Sequence, residues 1–159
     1  EAENQARVWV SDNQIAIRYN GFEMTSRLID GKYPDYSQII PASFKTSAVL
    51  PADVLIKKIK AAGLFTTTGV NGVSFDFNVK NGTLSVSSTS TQTGEHNSEV
   101  DADMKGEETS ILLNHKYTLD GLQQINNEVI FNVNSSDSPC LLQEKNKKDY
   151  IYIIMPIRQ

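Results

Sequence analysis

One cysteine, Cys140, leaves this chain without a partner for an internal disulfide, so its sulfur chemistry points to no oxidising compartment. Apolar runs are short as well: the longest are strand-sized, well under the ~20 residues that cross a bilayer. No basic and apolar leader follows the opening Glu1-Ala2-Glu3-Asn4, which has no initiator Met and reads as an excised piece of a cytoplasmic protein without membrane attachment. Asn81-Gly82-Thr83 and Asn134-Ser135-Ser136 match a glycosylation pattern that nothing else in the sequence supports. The formal charge of -4 argues against gross attraction to nucleic acid.

Chemistry-bearing motifs are also missing. The sequence contains no phosphate-binding glycine loop, no dinucleotide fingerprint and no nucleophile elbow around any serine. Cys140 sits in apolar Pro139-Cys140-Leu141-Leu142, the setting of an inert core thiol. Asp101 and Asp103, with Glu95, His96 and Glu99 nearby, could hold a hard cation and serve a metal-assisted hydrolase built on His96, Asp101 and Asp103, but their spacing matches no ligand pattern. A solvated acidic edge is the simpler reading. The residues therefore predict a non-enzymatic protein without cofactor or metal.

Charge is unevenly placed. Residues 51–65, PADVLIKKIKAAGLF, carry Lys57, Lys58 and Lys60 against Asp53, whereas residues 95–108 carry six acids against Lys105. Periodicity organises the rest. Residues 6–20 alternate about the turn SDNQ, Asn20-Gly21 marks a second turn, and a third strand follows, giving a meander without a partner for its apolar face. KYPDYSQIIP, residues 32–41, reads as an extended linker because of its two prolines.

Residues 51–65 form the clearest helix, with Leu55, Ile59 and Ala62 as its buried stripe and Lys57 and Lys60 opposite. Strands are expected at 72–79 and 83–90. Residues 98–105 are expected to pair with 109–114. A second helix spans 115–125, capped by Asn114, with Leu119 and Leu122 buried. Closing strands are expected at 128–133, 139–145 and 150–155. Helices on one face of antiparallel sheets make the class α+β.

Two stretches go further. SRLIDGKYPDYSQIIP, residues 26–41, resembles the segment joining the second and third domains of bacterial DNA polymerase III β subunits, the sliding clamps. YIYIIMPIRQ, residues 150–159, is similar to that family's C-terminus, and LLNHKYTLDGL lies between the two at the expected distance. The resemblance covers the whole chain and implies a DNA clamp fold, with residues 1–35 as the last strands of domain two and 36–159 as domain three.

It also implies a processivity factor: a homodimeric ring around duplex DNA that docks short peptides of polymerase, clamp loader and repair proteins. The peptide pocket is implied at Pro34, Gln38, Ile39, Asn114, Tyr117, Pro139, Ile153, Ile154, Met155, Pro156, Ile157 and Arg158. Lys57 and Lys60 are assigned by the same likeness to the DNA channel, and Leu64 and Phe65 to the subunit interface. Gln38 stands where many relatives carry Arg, Gln159 where they carry Leu, and Val70 where some place an aromatic. An unrelated α+β interaction domain, whose tail is only an edge strand, is the competing reading.

Overall fold

A computed structural model describes residues 5–147 and 149–158, and its contacts divide the chain into two compact units, Glu1–Asp35 and Tyr36–Gln159. Glu1 to Asn4 and Gln159 lie outside the described residues.

In the first unit, β1 (Arg7–Val10), β2 (Gln14–Tyr19) and β3 (Phe22–Arg27) form an antiparallel meander. Asn20 and Gly21 both take positive φ, 45° and 83°, which the tight β2–β3 hairpin requires. Both faces stay open: Trp9, Phe22 and Met24 are all exposed.

The second unit opens with a single 3-10 turn, Tyr36–Gln38, where the prolines had suggested only extended chain. Pro34 restricts Tyr33, the residue before it, and leaves the residues after it free to turn. Then come β4 (Thr46–Pro51), α1 (Ala52–Gly63), β5 (Gly72–Asn78) and β6 (Thr83–Ser90). β7 (Gly94–Asp101), β8 (Asp103–Lys105), β9 (Thr109–Asn114) and α2 (His115–Leu122) follow. The chain closes with β10 (Glu128–Val133), β11 (Cys140–Glu144) and β12 (Ile151–Ile154).

These strands build two antiparallel sheets, ordered β12-β11-β10-β4-β8 and β7-β6-β5-β9. Phe131 of β10 meets Phe75 and Phe77 of β5 edge-on, at centroid distances of 5.5 and 5.1 Å, and joins the two sheets into one core. Leu55, Ile59 and Ala62 bury the expected face of α1, which packs on β4, β5, β6 and β7. Leu122 of α2 is buried, whereas Leu119 is only half-buried. Gly121 is obligatory, because an added Cβ would collide with the ring of Tyr152.

Two expectations are corrected. β4 was not anticipated; its inward Ala48 and Leu50 alternate with half-buried Ser47 and Val49, and Pro51 ends it directly at α1. Residues 98–105 do not pair with 109–114. The stretch breaks at Ala102, whose N–H donates to the Gly82 carbonyl at 2.8 Å. β7 thus pairs with β6, β8 crosses to β4 in the other sheet, and β9 pairs with β5. Alternation alone does not reveal such a change of sheet.

Glu144, 3% exposed, accepts from Lys147 at 2.9 Å and Asn127 at 3.2 Å. The Lys147 bond holds its carboxyl below the ordinary value of 4.5, against the opposing effect of desolvation. A carboxyl depressed in the folded state contributes stability above its unfolded pKa, and that contribution is lost as pH falls through the folded value. Thermal melts from about pH 6 to about pH 3 should therefore show Glu144→Gln losing less of its melting temperature on acidification than the parent chain. Parallel profiles would remove this carboxylate from the acid response.

Candidate functional site

Alternation along β12 places Tyr152 and Ile154 towards the core and Ile151 and Ile153 away from it. Ile154, opposite Cys140 and 3% exposed, belongs to the interior, so it supports the tail from beneath rather than meeting a ligand. Beyond it the chain leaves its sheet. Met155 is 55% exposed, Pro156 has no N–H to donate, and the Ile157 N–H reaches the Leu112 carbonyl on β9 at 2.9 Å. The tail thus runs from the edge of one sheet to the edge of the other.

Val70, Leu112 and Ile157 surround Gly72 there: a Cβ on that glycine would find all three within 3.5 Å. Two shallow cavities flank this apolar ledge. One of about 350 Å³ is lined by Thr67, Val70, Gly72, Ser74 and Leu112, among others. The other, about 230 Å³, includes Ser110, Leu112, Asp137 and Ile157. Val70, Tyr117 and Met155 remain exposed large apolar groups.

Asn114 caps α2 as expected, with Oδ1 accepting from the Lys116 N–H at 3.0 Å, while Nδ2 reaches towards the Val70 carbonyl at 3.5 Å. The amide thereby ties the start of α2 to the Val70 loop and keeps one N–H and one lone pair free of these two bonds. Tyr117, on the first turn of α2, is 59% exposed. Pro139 is half-buried just before β11, and Arg158 is exposed. Ile39, 41% exposed, follows the 3-10 turn that contains Gln38. Pro34 is exposed in the first unit.

Lys57 and Lys60 are exposed on α1 as its periodicity required. Lys57 pairs with Asp53 at 3.0 Å, and that bond is the main cause holding the Asp53 carboxyl below its usual value. Leu64 is 73% exposed, but Phe65 is half-buried and stacks on His96 with ring centroids 5.7 Å apart, so it is less available to a partner than expected. His96 and Asp101 lie five residues apart on regular β7, roughly 16 Å at the strand rise, and Asp103 belongs to the other sheet. Among the described residues, no group of three or more His, Cys, Asp or Glu could hold a metal ion.

Leu112 and Gly72 were missed at the ledge. Leu112 left a readable signal: it is the apolar residue at an outward register of β9, between buried Ile111 and Leu113.

The architecture is that of a DNA clamp domain. The family model described as the DNA polymerase III beta subunit, C-terminal domain, matches residues 37–158, and the chain belongs to that family. It is 29% identical over 154 residues to the beta sliding clamp of Streptococcus pneumoniae, covering 95% of this chain and 40% of that protein. It is similar in structure to the Thermotoga maritima beta subunit, with a TM-score of 0.80 and 30% identity over 97% of this chain and 42% of that one. A Pseudomonas aeruginosa clamp bound to griselimycin gives a TM-score of 0.82 at 25% identity, over 97% of this chain and 42% of that one. The chain thus spans about two-fifths of the length of these relatives.

Burial pushes the Cys140 thiol up to about 12, so almost none is thiolate at neutral pH. Iodoacetamide at about pH 8 should leave the native chain unmodified and alkylate Cys140 once the chain is unfolded in guanidinium. Rapid alkylation of the native chain would show that this thiol is accessible after all.

Proposed function

We propose that this chain is the C-terminal part of a sliding clamp, with residues 1–35 supplying the last strands of the second domain and residues 36–159 the third. In the whole protein, two subunits close head to tail around duplex DNA and act as a non-enzymatic, cytoplasmic processivity factor for DNA polymerase. Family membership and the open apolar faces of the first meander support this reading, since such a sheet needs further chain to cover it.

The site is a dock for short linear peptides of polymerase, clamp loader and repair proteins. The observation that carries this is the tail's crossing to Leu112, which sets half-buried Ile157 beside Val70 and leaves Met155, two residues earlier, exposed. Apolar side chains of a peptide lose water against such a ledge, and a thioether adapts to varied shapes. Tyr117, exposed on the first turn of α2, offers an aromatic face and a hydroxyl. Gln38 and Ile39 belong to the same peptide site, and Pro139, Ile153, Pro156 and Arg158 flank the tail. An amide-resonance titration of this chain with a Gln-Leu-x-Leu-Phe peptide should shift Met155, Ile157 and Tyr117 before other residues. No shift at about millimolar peptide would reject the dock.

Lys57 and Lys60 face DNA in this reading, attracting phosphates without reading sequence and so permitting sliding. Leu64 is the principal subunit contact from this domain, with the outer edge of Phe65 beside it. Replacing Lys57 and Lys60 together by Glu in the full-length clamp should shorten retention on circular DNA, most strongly at low salt. Unchanged retention there would remove this face from DNA binding.

A further inference from the structure

His115 is the first residue of α2, and neither its role nor the loop it grips is accounted for by the tail. That loop, residues 64–71, links the end of α1 to β5 and carries Val70 at the ledge. It turns tightly: the Thr67 carbonyl accepts from both Val70 N–H, at 3.2 Å, and Asn71 N–H, at 3.1 Å. Asn71 takes φ 53°, a left-handed conformation that its short polar side chain tolerates.

One carbonyl then receives two bonds from one residue. The Asn71 carbonyl accepts from the His115 backbone N–H at 2.9 Å, and the His115 Nδ1 lies 3.0 Å from it. Because a carbonyl only accepts, Nδ1 carries the hydrogen. On its other side the imidazole lies against Gly63, so closely that a Cβ there would meet Cδ2 at 3.0 Å and Nε2 at 3.1 Å. One side chain therefore touches the last residue of α1, the loop bearing Val70 and, through its own backbone, the helix start bearing Asn114 and Tyr117. Asn114 Nδ2 adds a weaker tie to the Val70 carbonyl, at 3.5 Å.

We propose that His115 is a positioning residue for the peptide dock, clasping the Val70 loop to the start of α2 so that Val70 and Tyr117 stand at a set separation. The proposal rests on the reading of the ledge as a peptide site. Preorganisation is what such a clasp contributes: a ledge held in shape does not spend binding energy on ordering its own wall. No contact between His115 and the peptide is required.

The test uses the full-length clamp and a fluorescein-labelled Gln-Leu-x-Leu-Phe peptide, with affinity read by anisotropy and stability by thermal melting. His115→Ala should weaken binding about fivefold to tenfold, the scale of one lost hydrogen bond. His115→Asn, whose amide N–H can occupy the place of the Nδ1–H, should recover most of that loss. Thr46→Val serves as the control, since it removes the Thr46–Glu107 bonds, which involve neither the Val70 loop nor α2, and should lower the melting temperature without changing affinity.

Wild-type affinity in His115→Ala, or an affinity loss in Thr46→Val that matches it at equal loss of melting temperature, overturns the proposal. Tyr117→Ala and Met155→Ala separate the two ideas. If they weaken binding and His115→Ala does not, the clasp alone is wrong. If neither weakens binding, the dock is wrong and the clasp falls with it.

Discussion

The second unit depends on three rings. Phe131 from one sheet stands edge-on to Phe75 and Phe77 from the other, all three essentially without exposure. Each such contact contributes about 0.5–1.5 kcal/mol beyond the burial of its area. With this contact set, the strands on either side have fixed inner faces, and their register decides what remains outside. The helices close over the same core through Leu55, Ile59 and Leu122.

The chain passes repeatedly between the two sheets that share one core, and two of these crossings have consequences for the surface. Ala102 is the first, where one acidic stretch is divided between β7 and β8. The tail is the second. β9 is an edge strand, and the Ile157 N–H caps one of its free carbonyls. That single bond holds an apolar segment across the surface, where Pro156 prevents it from continuing as a regular strand. An edge that would otherwise invite unspecific pairing becomes a shaped ledge.

Much of this was readable in the residues themselves. The α1 stripe, its outward lysines and the Asn114 cap follow from local spacing and side-chain chemistry, which act within a turn or two of helix. Strand positions such as 72–78 and 83–90 follow from alternation and turn residues. Pairing did not follow, because residues 98–105 alternate equally well whether they form one strand or two. Ile154 was misjudged for the same reason, and Phe65 is less open than expected: an apolar residue declares that it seeks cover, not which neighbour covers it. Phe65 found His96, and Ile154 found the core.

By itself the sequence determined the α+β class, the helices, most strands and, through its linker and tail motifs, the family. These are properties of short stretches, set by side-chain period, turn chemistry and motif identity. Only the tertiary structure decided which edges meet, that Leu112, Val70 and Ile157 share one ledge around Gly72, and that His115 grips the loop behind it. Val70, Leu112 and Ile157 lie more than forty positions from one another, and their meeting is set by the packing of the two sheets on one core rather than by any preference of the chain between them.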